Sequence, residues 1–476
     1  MKKNYWIILL LLLNVAFVGR QDALAQDAGA AGVGDSLYPG FGNGGYDVQH
    51  YSLEITYAPD EGAIRGATTI EATATEALSS FNLDLIGFEV AEISVNGTGA
   101  EFSRDGQELT ITPAEALDEG ASFTVEVSYS GVPELVTSVA LPVLTGWVPY
   151  EGENCPCAFV LSEPDGAANF YPVNDHPLDK ATYTLSVTVP KPYEVAMNGD
   201  LVAVTDNGDS TTTVSEVTAP MASYLTTINI ADFDLVTEDG ESGVLIRNYY
   251  EVGLDPAVIA FFDRQDEMMS YYETVFGEYP FDVYGAVVVN TETGAALETQ
   301  TLSIFGTDVL PVDDPDYSVA TVAHELAHQW FGDSVSVADW RDIWLNEGFA
   351  TYAEGLWIEH DTGSEALDAW VRDLYDYVTT DEGIVPTGSP AADDLFNDGV
   401  YYRGGLLLHA LRERIGDDPF FETLRTWAER YRDGNATTAD FIALSEAVSG
   451  EDLGDFFDAW LYDEALPAIP EMELGT

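Results

Sequence analysis

Lysine is nearly missing from this chain: four occur in 476 residues, and only Lys180 and Lys191 stand beyond the first twenty-five. Lys and Arg together number 17 against 83 acidic residues, a formal charge of −66. Such a polyanion repels nucleic acid and anionic membrane surfaces, which argues against either as a partner. It also repels itself, and screening over a few ångströms removes that repulsion, so the composition implies a halophilic, high-salt setting. No D-x-D-x-D-G stretch, the mark of a calcium loop, occurs. Cysteine is limited to Cys155 and Cys157 around Pro156. Two such ligands do not make a structural zinc site. Their spacing suits a small strained disulfide ring and equally two free thiols, and neither is assigned a catalytic role.

Long apolar runs are confined to one place. Lys2 and Lys3 precede an apolar stretch from Tyr5 to Val18, and Ala23-Leu24-Ala25 follows as a small-x-small cleavage site. That layout predicts a Sec-type signal peptide over residues 1–25, because the stretch is short for a bilayer and Asn14 interrupts it. The expected mature protein is exported (secreted, periplasmic or cell-surface) and makes no membrane contact after cleavage. Loss of the leader leaves 14 basic against 82 acidic residues.

Length favours two packed domains. Residues 26–45 read as a Gly-rich linker. Residues 46–240 read as a β domain: Tyr51 to Tyr57, Ser122 to Val127 and Thr182 to Val189 alternate apolar with polar, and Asn96-Gly97 and Asn207-Gly208 mark turns. In residues 241–476 a strand at Gly243 to Tyr250 precedes a helical pattern from Pro256 to Phe276 and strands near Val287 and Thr301 to Phe305. Helical periodicity dominates from Ser318, broken at Asp361-Thr362-Gly363, Gly416 to Pro419 and Asp433-Gly434. The expected fold class is multidomain: an antiparallel β-sandwich-like domain, then an α+β catalytic domain that is mostly helical.

Histidine is scarce, with six in all, yet two of them stand in His324-Glu325-Leu326-Ala327-His328, inside a predicted helix from Ser318 to Phe331. Histidines at i and i+4 face one side, so two imidazoles can hold one metal ion, and Glu325 falls where its carboxylate reaches a water on that ion. With so few histidines the pattern is expected by chance only about 0.01 times. A catalytic zinc takes a third protein ligand. Eighteen residues after His328 stands Glu347, in Asn346-Glu347-Gly348, opening a second helical pattern from Trp344 to Glu359. Gly332 to Asp342 supplies the turn that returns this carboxylate to the metal. Glu354, two helical turns beyond Glu347, is a candidate hydrogen-bond partner for a zinc-bound histidine. His50, His176, His360 and His409 lack ligand spacing and read as structural.

His324 to Asp333, Asp339-Trp340 and Trp344 to Ala350 together resemble the signature of the M1 (gluzincin) zinc aminopeptidases. Tyr46 to Tyr51 is similar to that family's opening strand, and Asp455 to Tyr462 to its closing helix, so the resemblance covers almost the whole predicted mature chain. It implies a thermolysin-like catalytic domain, one Zn²⁺ per chain and peptide substrates with a free N-terminus. The chain ends before a long C-terminal helical domain could begin; oligomeric state is left open. The family binds the substrate amine with a Gly-Ala-Met-Glu-Asn-like strand; Gly294-Ala295-Ala296-Leu297-Glu298-Thr299 keeps the glutamate, Glu298, while the first Gly, the Met and the Asn are changed. Tyr171 to Asp175 resembles the turn that follows a second amine ligand, which places that role at Glu163. Tyr401-Tyr402-Arg403-Gly404 resembles Tyr-x-Lys-Gly, whose tyrosine donates to the oxyanion, and the register to Gly404 selects Tyr401 over Tyr402. A gluzincin endopeptidase would share the metal ligands but have no use for Glu298 or Glu163. An epoxide hydrolase would need a lipid channel for which no residue speaks, and a non-catalytic binding module would not keep every chemical position filled.

Overall fold

The computed structural model describes residues 29–152, 156–240, 242–380 and 383–475. The predicted leader and Cys155 lie outside them; Cys157 is buried and disulfide-bonded.

Alternation in the first strand, Tyr46–Ala58, buries Val48, Tyr51, Leu53, Ile55 and Tyr57 on one face. The chain reverses through Pro59–Glu61, where Gly62 takes φ +61°, into the antiparallel partner Ala63–Ala74. These two strands lie central in an eight-stranded sheet, between Ser122–Gly131 on one side and Ala181–Pro190 on the other. The sheet is not wholly antiparallel, as the sequence pattern suggested: Tyr46–Ala58 runs parallel to Ala181–Pro190, with Leu53 beside Leu185. Parallel neighbours need a long crossover. Part of this crossover, Leu144–Glu151 and Pro156–Leu161, joins a five-stranded sheet, and Glu163 follows directly after.

Gly29 to Gly45 is not a free linker. Asp35, Tyr38 and Asn43 are buried. Asp35 accepts a hydrogen bond from the Trp340 amide and pairs with His176 at 3.2 Å. Ser36 donates to Asp339, and the Tyr38 hydroxyl to the Ala392 carbonyl. The segment straps the β domain to the helical one, which glycine composition alone does not reveal. A boundary at residue 240 also cuts a hairpin, since Phe233–Asp239 pairs with Leu245–Glu251. The latter strand then runs parallel to Ala286–Val288, and that to Ser303–Phe305.

Beyond this sheet come the helices. The pattern from Pro256 to Phe276 forms two, α1 (Pro256–Ala260) and α2 (Gln265–Phe276). Then follow α3 (Pro315–Ala327), α4 (Trp344–Thr362), α5 (Ser364–Thr380), α6 (Gly404–Ile415), α7 (Asp417–Arg430), α8 (Thr438–Ser449) and α9 (Gly454–Tyr462). Asp314 caps α3 by accepting from the Tyr317 amide, with Pro315 pre-set for the first turn. Helix α4 is buried almost all round from Trp344 to Ala353 and packs against α3, α5 and α6. Among the described residues no helix is long and apolar enough to cross a membrane.

Candidate active site

Helix α3 ends at Ala327, earlier than its periodicity implied, but His328 keeps helical dihedrals and its amide donates to the His324 carbonyl at 3.2 Å. The two imidazoles therefore still share one face, with ring centres 4.7 Å apart. A short strand, Val335–Val337, and a turn at Trp340–Asp342 return the chain to α4, whose first turn carries Glu347. Oε2 of Glu347 lies 3.3 Å from Nε2 of His324 and 3.3 Å from Nε2 of His328.

The far side of each ring fixes its tautomer. Nδ1 of His324 lies 2.7 Å from Oε1 of Glu354, and Nδ1 of His328 lies 3.0 Å from the Phe331 carbonyl. Both partners accept, so each Nδ1 donates, and in the neutral ring Nε2 presents its lone pair inward. Three buried lone-pair donors thus converge on one point within 4.8 Å. They would repel one another without a cation between them. Two imidazoles and a carboxylate are the donor set of a catalytic zinc, so these residues fit the ion. The same field draws protons: burial pushes the His328 imidazole down, but Glu298 and Glu347 outweigh it and bring it to about 9. Burial pushes Glu347 up, and His328 with both ring hydrogen bonds pulls it down to about 2.

Around this point the structure gathers every other candidate. Glu325 and Glu298 lie within 4.8 Å of His328, and Glu163 and Glu298 within 4.8 Å of Glu347. Burial lifts Glu325 to about 8 against the pull of His324 and His328. Burial, then Glu298 and Glu347, push Glu163 far above the carboxylate range; burial likewise raises Glu298. Oε1 of Glu163, Oε1 of Glu298 and Oε2 of Glu325 are all buried without a hydrogen-bond donor among the described residues. Tyr401 sits in a single π-helical turn, Gly399–Arg403, and its ring stacks on His324 at 5.9 Å. Such turns recur at functional sites. Tyr402 points to a different neighbour, meeting Tyr377 edge-on at 5.5 Å.

Two glycines explain how Tyr401 comes so near α4. A Cβ on Gly348 would lie 3.0 Å from the Gly404 backbone, and one on Gly404 would lie 3.0 Å from Gly348. The residues that follow Glu347 and Arg403 must both be small for these segments to touch. Gln329 was not singled out from the sequence, although it adjoins His328. Its Nε2 donates to the Glu298 carbonyl at 2.8 Å and its Oε1 accepts from the Thr301 amide at 2.8 Å, clamping the Glu298 segment to the turn that follows α3. The four remaining histidines stand apart: His50 meets Thr182, His176 Asp35, His360 Tyr271 and His409 Tyr352. The centre opens into a cavity of about 800 Å³.

A β-rich unit leading into a helical domain, with His-Glu-x-x-His and a later helical Glu at one buried point, defines a zinc metallopeptidase architecture. Residues 47–225 match the peptidase M1 N-terminal domain and residues 261–460 the peptidase family M1 domain. The M1 zinc metallopeptidase of Deinococcus radiodurans superposes with a TM-score of 0.84 at 32% identity, covering 92% of this chain and 99% of that one. Aminopeptidase 2 of Candida albicans is 26% identical over 90% of this chain and 48% of its own length. Aminopeptidase N of Streptomyces lividans is 27% identical over 90% and 51%. This chain belongs to peptidase family M1. It spans about half the length of the curated relatives it matches.

Proposed function

We propose that the chain is an exported metallo-aminopeptidase, which hydrolyses the first peptide bond of peptides with a free amine and releases single residues. One observation carries the reading: two buried carboxylate oxygens, on Glu298 and Glu163, stand beside the metal ligands with no donor of their own. Desolvated, mutually repelling carboxylates call for a cation, and a substrate ammonium supplies charge and hydrogen bonds together. An endopeptidase has no such cation to place there.

A zinc ion held by His324, His328 and Glu347 supplies Lewis acidity toward a carbonyl oxygen and toward water. Glu325, whose Oε2 is buried beside the metal ligands without a donor among the described residues, takes the proton of the attacking water and delivers it to the leaving nitrogen. The Tyr401 hydroxyl, kept protonated by burial, donates to the oxygen that gains negative charge. Glu298 and Glu163 hold the ammonium, so only one residue fits before the scissile bond. The predicted leader supports export to the cell surface, periplasm or medium.

The test is a panel of aminoacyl reporters with free and acetylated amines, with and without chelator. Free amines are cleaved and lose turnover with chelator, while acetylated ones are inert. Equal cleavage of both would refute the exopeptidase assignment.

A further inference from the structure

Five carboxylates lining the catalytic cavity belong to the centre just described; Asp316 and Asp373 do not, and among the described residues no lysine or arginine lines it. Glu298 of the amine-binding pair stands on the His328 side, with Oε1 at 4.0 Å from His328 Nδ1, and Glu163 offers an oxygen within 4.8 Å of the Glu298 carboxylate. Across the centre, on the side of His324 and Glu354, the wall is aromatic. Trp370 of α5 packs over Gly355, where an added Cβ would lie 2.8 Å from its ring, and Tyr402 meets Tyr377 edge-on. Trp370, Asp373 and Tyr377 fall at i, i+3 and i+7, one face of α5, and all three line the cavity. Asp316 and Tyr317 open α3 two turns before His324. Tyr317 is 53% and Tyr377 42% exposed, so these rings stand in solvent rather than in the core.

A peptide whose amine is held by Glu298 and Glu163 has its first carbonyl at the metal ligands. Its next residue must then leave on the far side, toward this wall. We propose that Asp316, Tyr317, Trp370, Asp373, Tyr377 and Tyr402 form a subsite for a basic side chain just after the scissile bond, so that preferred substrates carry arginine or lysine second. This rests on the aminopeptidase reading. The aliphatic stem lies along the rings, the cation meets aromatic faces and two carboxylates, and no cationic side chain opposes it. A glutamate there would meet only like charge, and a leucine would keep the stem contact alone.

The full-length chain is tested at one fixed salt concentration on Ala-Arg-Ala, Ala-Leu-Ala and Ala-Glu-Ala, reading kcat/KM for alanine release. Arginine is expected to exceed leucine by about five- to tenfold, with glutamate lowest. D316N/D373N should cut the arginine-to-leucine ratio to less than about half, the aromatic contacts keeping the rest, and D316K/D373K should favour glutamate. A wild-type chain that cleaves the leucine peptide as well as the arginine peptide, or a ratio unmoved by D316N/D373N, overturns the proposal. Alanyl coumarylamide, which has no second amino acid, separates the two readings. Its cleavage alongside a flat tripeptide series removes the subsite alone; its complete resistance removes the aminopeptidase reading and the subsite with it.

Discussion

Glu354 Oε1 lies 2.7 Å from His324 Nδ1, two turns along the same helix from Glu347, so α4 carries from one rigid element both a metal-ligand carboxylate and the acceptor that orients the imidazole of α3. Removing an orienting carboxylate frees the ring and lowers its basicity, at a typical cost of 10- to 100-fold in metal affinity. Glu354→Ala is therefore expected to weaken zinc binding by about that factor in a chelator competition. An unchanged competition curve would leave Glu354 an ordinary half-buried acceptor.

Glu325 faces the centre but reaches no fixed donor through Oε2. Glu325→Gln preserves shape and removes the base. Zinc content should stay at one per chain while turnover falls by roughly 10²- to 10⁴-fold. Peptide cleavage at wild-type rate in the metal-loaded variant would take the proton-transfer role away from this residue.

Glu298→Ala should cost roughly 2–4 kcal/mol of transition-state binding with free-amine substrates, as for truncating one side of a buried charge pair. The measurement is kcat/KM for free aminoacyl reporters, read beside the zinc content of the variant. A loss of turnover that comes with loss of zinc would point to collapse of the segment that Gln329 clamps, not to amine recognition.

Why the centre was legible and its supports were not follows from the kinds of contact involved. His324, Glu325, His328, Glu347 and Glu354 are spaced by helical geometry, and helix periodicity is a local property that sequence carries directly. Glu298, Glu163 and Tyr401 come from separate segments, and only the family resemblance tied them to the metal. The Gly29–Gly45 strap, the parallel pairing of Tyr46–Ala58 with Ala181–Pro190, and the clamp by Gln329 are contacts between residues far apart in the chain. Neither alternation nor composition registers such partners. The aromatic face of α5 had a readable amphipathic pattern, yet nothing local says that its apolar side meets a cavity as well as a core.

His409 lies buried on α6 with Tyr352 at 3.2 Å, and burial, aided by Arg412 and opposed by Asp417, lowers its imidazole to about 4. Its folded pKa is below the unfolded value, so between those values the unfolded chain binds a proton that the folded chain refuses. Stability from this group is complete above about pH 6.5 and is lost as pH falls toward 4, by about 3 kcal/mol in all. The variant His409→Gln cannot titrate. Its packing cost is constant with pH, so the stability gap between variant and wild type should narrow by that amount from pH 7.5 to pH 4. A gap that stays constant would place a proton on His409 in the folded state.

The surface charge sets the last expectation. Ion pairs that use lysine or arginine are few among the described residues: Lys191 with Asp206, Arg264 with Glu267 and Asp361, Arg412 with Glu359 and Asp417, Arg414 with Glu451, and Arg425 with Glu422. Against 83 acidic residues these attractions are outnumbered, so the dominant long-range term in the folded chain is repulsion between carboxylates. Unfolding relieves it by moving the charges apart. Salt weakens attractive and repulsive terms alike, and where repulsion dominates the balance shifts toward the folded state. The screening length falls from about 30 Å at 0.01 M to about 3 Å at 1 M, shorter than most spacings between surface charges. The urea midpoint should therefore climb across that range and level off near its top. Sodium and potassium chloride should act alike, because screening does not distinguish them. A midpoint independent of salt would mean that the carboxylates are already too far apart, or too well hydrated, to strain the fold.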